Sequence, residues 1–492
     1  MTELGRRTFL QAAAATTGGV LVSGPLQALV AAGAAHAKPE KFLGLGPVAD
    51  ERDGVVRLHL PRGFRYRSFH DTDGPPITLN DGTTLPGRHD GMAAFPGPGG
   101  NVWLVRNHEV NGNAIGGAFG PASPAPYDSS ALGGTTTILV TPHGEVVQAF
   151  TNLNGTQMNC AGGPMPWGTW ISCEETVNGP DVGPDFTGVP NTNLQQPHGF
   201  IFEAPAGGQS NRQPIKSAGR FAHEAAAYSP DEGIVYLTED NFSFPSGLYR
   251  YIPPTNPMTA GRLDDGGELQ MLRVAGVHEA HLEAAQVNGA SYPVEWVDIE
   301  HAYPGTDGRF PTMTDNNTAI NFVGDQGRAL GAAHFSRLEG ATHTRGEIYF
   351  TATQGGGPAE TGPDLATGYG NGAGQVWSYD PTTSRLTCRL QSPGSSQLEL
   401  PDNVTARNDR GPVVLCEDGP VDNFIRGLTR DAALFDIALN RLHRNAPPNA
   451  PRFGEEFAGA TFSPDGGTLF VNIQASQGIT FAIWGPWGRI GV

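Results

Sequence analysis

Residues 223–240 read HEAAAYSPDEGIVYLTED. Two apolar, β-prone runs flank the turn Ser-Pro-Asp-Glu-Gly, in which proline presets φ and glycine supplies a positive φ. The second run ends on two acids, Glu239 and Asp240. The same design returns at residues 457–474, FAGATFSPDGGTLFVNIQ. Shorter versions of the second run are VWLVRNHEV, TWISCEET, IYFTATQGG and VVLCEDG. With Asn107, Cys173, Glu239, Thr353, Glu417 and Asn472 as equivalent points, the steps are 66, 66, 114, 64 and 55 residues. A further strand follows each run: TTTILVTP, GFIFEAPAG, GLYRYIPP, QVWSYDPTT, AALFDIA and ITFAIWGP. The unit is therefore at least three antiparallel strands, seen six times.

Such recurrence predicts an all-β chain folded as a six-bladed β-propeller. A large two-sheet sandwich is the alternative, but it has no need of six matched units. The segment VVRLHLPRGFRYRSF, residues 55–69, is expected to join the C-terminal strands and close the ring. The long step holds an insertion, about residues 252–331, expected to lie over one face and shape a site. Its piece HEAHLEAAQ, residues 278–286, reads as helix-like. The whole of 38–492 is read as one domain.

Composition agrees. Among 492 residues there are 68 glycines and 41 prolines, which mean many turns and few long helices. A formal net charge of -18 argues against nucleic acid and anionic membrane surfaces as partners, and suits a site that concentrates cations. The N-terminal GRRTFLQ carries Arg6 and Arg7, an Ala/Gly-rich stretch follows, and AHA at 35–37 offers small residues for cleavage. Residues 1–37 thus read as a twin-arginine export signal rather than a membrane span, with the periplasm or the exterior as destination. That machinery carries folded proteins, often with cofactor in place. The four cysteines, Cys160, Cys173, Cys388 and Cys416, allow three full disulfide pairings and contain no CxxC pair, so no structural zinc knuckle is expected.

In a propeller the inner strands converge on a central channel, so equivalent positions meet there. The position that opens the strand before the turn holds Met92, Cys160, Glu224, Glu339, Asn403 and Gly459. The position that ends the next strand holds Asn107 to Glu109, Cys173 to Glu175, Glu239 and Asp240, Gln354, Glu417 and Asp418, and Asn472 and Gln474. Uncompensated burial of several converging carboxylates is very costly, so cations are expected among them. Carboxylates suit Ca²⁺, and a thiolate adds a softer ligand for iron or zinc. The competing reading is a row of solvated strand ends, with the thiol of TWISCEET simply buried beside two solvated acids. Other motifs carry no chemistry. The histidines of HEAHL are three apart, not the four of a zincin helix. GYGNGAG at 368–374 lacks the strand–turn–helix setting of a dinucleotide site. TQGGG at 353 reads as a turn.

With these residues in view, the chain resembles the PhoX-type alkaline phosphatases. The resemblance rests on the twin-arginine signal, NCAGGPMPWGTWISCEE, GRFAHEAAAYSPDEGIVYLTED, HFSRLEG with GEIYFTATQGG, and VVLCEDGPVDN, and it spans most of the mature chain. It implies a six-bladed propeller with a Ca²⁺- and Fe³⁺-containing cluster that hydrolyses phosphate esters. Carried over residue by residue, it implies Cys173 as the iron thiolate ligand, Glu224 and Glu339 as cluster carboxylates, and Arg337 as the phosphate-binding arginine. Alternation along a strand would put residues 337 and 339 on one face. Asn107 stands beside Arg337 as a second catalytic candidate. Glu174, Glu175, Glu239, Asp240, Glu417 and Asp418 are the candidates for calcium. The expected reaction is metal-assisted hydrolysis of small phosphomonoesters. A calcium-dependent propeller hydrolase of lactones or phosphotriesters is an alternative that Cys173 disfavours. A non-catalytic calcium-stabilised binding propeller is another, disfavoured by Arg337.

Overall fold

The computed structural model describes residues 44–110, 119, 125–184, 191, 193–255, 261–304 and 315–492. The expected signal at 1–37 lies outside the described residues, as do parts of the 252–331 insertion.

Almost all regular structure is β. Six strands open six similar units: β1 (His89–Pro96), β2 (Asn159–Met165), β3 (His223–Ser229), β4 (Leu338–Thr344), β5 (Pro401–Ala406) and β6 (Phe457–Phe462). Each pairs antiparallel with the strand after its turn, among them Thr169–Glu174 for β2 and Ile234–Glu239 for β3. A third and a fourth strand complete each unit. The expectation for residues 55–69 holds. Val56–Pro61 pairs with Leu434–Asn440 in the fifth unit, and Arg65–Phe69 pairs with Ile479–Trp484 in the sixth. One assignment shifts: the third strand of the fifth unit is Phe424–Leu428, and AALFDIA lies largely in the fourth. The third and fourth units merge into one nine-stranded sheet through Ser291–Asp298, so six units make five sheets.

The core lies between units rather than inside one sheet, because each sheet is apolar on both faces. Phe95 and Trp170 belong to a cluster between the first and second units, and Ile171 and Tyr249 to one between the second and third. Phe350 joins Tyr236 between the third and fourth, Tyr349 joins Val413 between the fourth and fifth, and Val414 joins Phe481 between the fifth and sixth. Phe470 with Met92 then links the sixth back to the first. The opening strands pack in the same cyclic order, β6 against β1 included.

Each opening strand carries a register shift near its start, at His89/Met92, Asn159/Gly162, His223/Ala226, Leu338/Ala341, Pro401/Val404 and Ala458/Thr461. A bulge breaks alternation and re-aims one side chain. The bulged positions are Asp90, Cys160, Glu224, Glu339, Asp402 and Gly459. This corrects two sequence equivalences. Met92 lies beyond its bulge, paired with Arg106 and packed in the apolar cluster behind it. Asn403 follows the true position, Asp402, and its amide bonds the Asp402 carboxylate at 2.5 Å. Neighbouring bulges nearly touch: a Cβ on Gly91 would meet the Ala161 Cα at 2.5 Å, and one on Gly340 the Val404 nitrogen at 2.6 Å.

HEAHLEAAQ is not helical. Its donors are taken by distant partners, Leu282 N by His334 O at 2.9 Å and Ala285 N by Gly357 O at 2.8 Å. The helix of this region is α1 (Asn316–Ala329), whose N-terminal Asp315 accepts from Thr318 N at 2.8 Å.

Candidate metal centre

The bulges bring titratable side chains from different units together. Cys160, Glu175 and Glu224 offer ligand atoms that all lie within 4.8 Å of one another, and so do Glu224, Glu339 and Asp402. Glu224 is common to both groups. Burial raises its pKa well above the usual carboxylate range, and Glu339 and Glu175 push it further. Glu339 and Asp402 are raised in the same way, first by burial and then by neighbouring acids. The Cys160 thiol is raised by burial, then by Glu224 and Glu175. Glu224 Oε2 is buried and has no hydrogen-bond partner among the described residues. A buried acceptor left so is costly. Oxygen donors for a hard cation and one sulfur for a softer one lie within reach of it, so the residues fit a bound metal.

Arg337 enters from the residue before β4. Its φ is 41°, a left-handed value, so it is not on the strand and alternation is not what aligns it with Glu339. The two meet because the left-handed residue and the bulge turn both side chains inward. The guanidinium bonds Asp240 through Nε at 3.1 Å and Nη2 at 2.8 Å, and Glu339 Oε1 at 2.9 Å. Its Cζ stands 5.5 Å from the centre of the Phe242 ring.

The paired acids at the strand ends divide by alternation. The first of each pair clamps backbone. Glu174 accepts from Gln157 N, Gly199 N and Phe200 N, and its Oε1 is 2.6 Å from His198 Nδ1. Glu239 accepts from Gly247 N and the Tyr249 hydroxyl. Glu417 accepts from Glu399 N, Phe424 N and Arg426 Nε. The second of each pair turns toward the centre: Glu175 is in a ligand group, Asp240 holds Arg337, and Asp418 raises the pKa of Asp402. Glu174, Glu239, Glu417, Asp240 and Asp418 fall in neither ligand group.

Cys173 is also outside both groups. It is fully buried in the apolar cluster between the second and third units, where burial raises its thiol. Cys160 is the sulfur at the centre. All four cysteines are free thiols. Asn107 spends its amide on structure: Nδ2 donates to the carbonyls of Cys160 at 3.0 Å and Ala161 at 2.8 Å, and Oδ1 accepts from Trp170 Nε1 and Ser172 Oγ. It fixes the backbone that carries the thiol. Sequence reading missed Asp402 and Asp90, whose only signal was the bulge register. The rim by β1 holds Asp90, raised to about 7 by burial and Glu109, with Arg88 and Gln474 beside it.

Converging buried acids, beside an arginine held in a fixed fork, make an acidic candidate metal centre in an all-β fold. The chain belongs to the alkaline phosphatase PhoX family, which residues 43–152 and 141–477 match, and it is a phosphatase. Pseudomonas fluorescens PhoX, solved with vanadate, a transition state analogue, superposes with a TM-score of 0.62 at 18% identity, covering 91% of this chain and 99% of that one. A gluconolactonase from Xanthomonas campestris gives a TM-score of 0.37 at 11% identity, covering 85% of this chain and 97% of that one. No curated protein sequence matches the chain. No described helix is long and apolar enough to cross a membrane.

Proposed function

We propose that the chain is an exported, calcium- and iron-dependent hydrolase of small phosphomonoesters, folded as one six-bladed propeller over residues 38–492 behind a twin-arginine signal at 1–37. The cyclic packing of six opening strands supports the propeller, and Arg6 and Arg7 support the export route. The observation that carries the site is the convergence of Cys160, Glu175, Glu224, Glu339 and Asp402.

These five side chains would hold the metal ions. Carboxylates favour Ca²⁺, and the Cys160 sulfur favours the softer iron. Bound there, such cations neutralise phosphate oxygens and lower the pKa of an oxygen nucleophile. Arg337 grips the phosphoryl group, and its planar, permanently charged fork suits both the two-point contact and alkaline operation. Asp240 and Glu339 set the direction of that fork. Asn107 acts one step back, by fixing the Cys160 backbone.

Elemental analysis of the exported protein, paired with hydrolysis of p-nitrophenyl phosphate at alkaline pH with calcium present, tests this reading. Iron and calcium with phosphatase turnover are expected. A protein free of iron, or one that cleaves lactones and no phosphate ester, overturns it.

A further inference from the structure

The backbone position of Arg337 recurs around the ring. Arg88 before β1, Met158 before β2 and Leu400 before β5 have φ of 47°, 48° and 47°, against 41° for Arg337 before β4. Methionine and leucine hold this left-handed turn as well as arginine does, so the fold does not require arginine there. Left-handed φ is itself unfavourable for any of them, which makes the position fixed rather than adaptable.

The two arginines share more than φ. Each is followed two residues later by the acid at a bulge, Arg88-His89-Asp90 and Arg337-Leu338-Glu339. Each is paired with an acid just after a second strand, Arg337 with Asp240 of the preceding unit and Arg88 with Glu109 of its own. In the cyclic order β1 and β4 are three units apart, on opposite sides of the ring. Arg88 donates through Nε to the Glu109 backbone carbonyl and through Nη2 to the Glu109 carboxylate, and among the described residues its Nη1 donates to none. Its side chain is 17% exposed, against 4% for Arg337, so it is the more reachable of the two.

We propose that Arg88 is a second anion-binding side chain, facing Arg337 across the ring, that grips a negative group on the alcohol half of the ester. The preferred substrates are then phosphomonoesters that carry a second phosphate or a carboxylate. This rests on the phosphatase reading above. A chain of net charge -18 repels such substrates in general, and an arginine on each side of the site offsets that where it matters. Pairing with Glu109 is no bar, since Arg337 is itself paired with two acids, Asp240 and Glu339.

Three probes test it: p-nitrophenyl phosphate, whose alcohol half carries no charge in the ester, fructose 1,6-bisphosphate, with a second phosphate, and 3-phosphoglycerate, with a carboxylate. The variant is Arg88→Met, because Met158 shows that methionine holds this turn. The ratio of kcat/KM for the bisphosphate over p-nitrophenyl phosphate should fall roughly 10- to 100-fold, mainly through KM, as expected for loss of a charge-assisted contact. The ratio for 3-phosphoglycerate should fall in the same sense. Arg88→Lys should fall less, and Arg337→Met should lower all three rates together. Ratios that stay within about 3-fold of wild type, with metal content and melting temperature normal, overturn the role of Arg88. A wild-type, metal-loaded protein that cleaves none of the three esters overturns the phosphatase reading instead.

Discussion

Arg337 Nη2 lies 2.9 Å from Glu339 Oε1. The arginine that would hold phosphate is thereby oriented by an acid that would hold metal. Arg337→Lys keeps the charge and should keep fold and metals. It loses the planar fork and should lower kcat/KM roughly 30- to 1000-fold, the range for one transition-state contact. Glu339→Gln should lose metal as well as rate. Steady-state kinetics with metal content on both variants decides, and a fully active Arg337→Lys would leave the pair as a structural bridge.

The two cysteines of the second unit should part company. Cys160→Ser replaces the sulfur at the centre and should release iron and most activity. Cys173→Ser places a hydroxyl in an apolar cluster and should cost about 1–3 kcal/mol of stability while sparing iron. Iron content and chemical denaturation of each variant separate the two roles, and iron lost with Cys173 alone would reverse them.

Chelation should make stability steeply pH-dependent. Burial and mutual repulsion hold Glu224, Glu339 and Asp402 above the ordinary carboxylate range, and Asp90 near about 7. Without cations the native state therefore binds more protons than the unfolded chain, so stability falls as pH rises from about 4 through the native values. With cations bound the carboxylates stay charged and the fall disappears. The melting-temperature gap between metal-loaded and chelated protein should widen from pH 5 to pH 8. A constant gap would argue against these acids as the metal site.

His198 makes a separate prediction. Burial disfavours its charge, but Glu174 and Asp128 outweigh that and lift its pKa from 6.5 to about 9. Its stabilising proton is fully present below about pH 6.5 and is lost as pH climbs through about 9, a change of about 3 kcal/mol at most. His198→Asn should be less stable at pH 6 and should flatten the stability profile between pH 7 and pH 9. Denaturant midpoints across that range measure it, and an unchanged slope would assign the alkaline loss to other groups.

The sequence alone carried the repeat. Apolar runs ended by SPDEG or SPDGG turns and then by acids determined six strand pairs, the closing role of residues 55–69 and the supply of acids, because period and turn chemistry are local. The family was also legible, through NCAGGPMPWGTWISCEE and its companions. What stayed hidden was which acid and which thiol face the centre. In Glu174–Glu175, Glu239–Asp240 and Glu417–Asp418 the sequence offers two acids, and a step of one residue reverses the face. The six bulges add a residue that no local pattern announces, which moves Met92 and Asn403 off the site and Asp90 and Asp402 onto it. The same bulge carries Cys160 into a ligand group, while Cys173 lies in the apolar cluster between the second and third units. Register and bulge depend on how each opening strand packs against the next around the ring, and only the tertiary structure decides that.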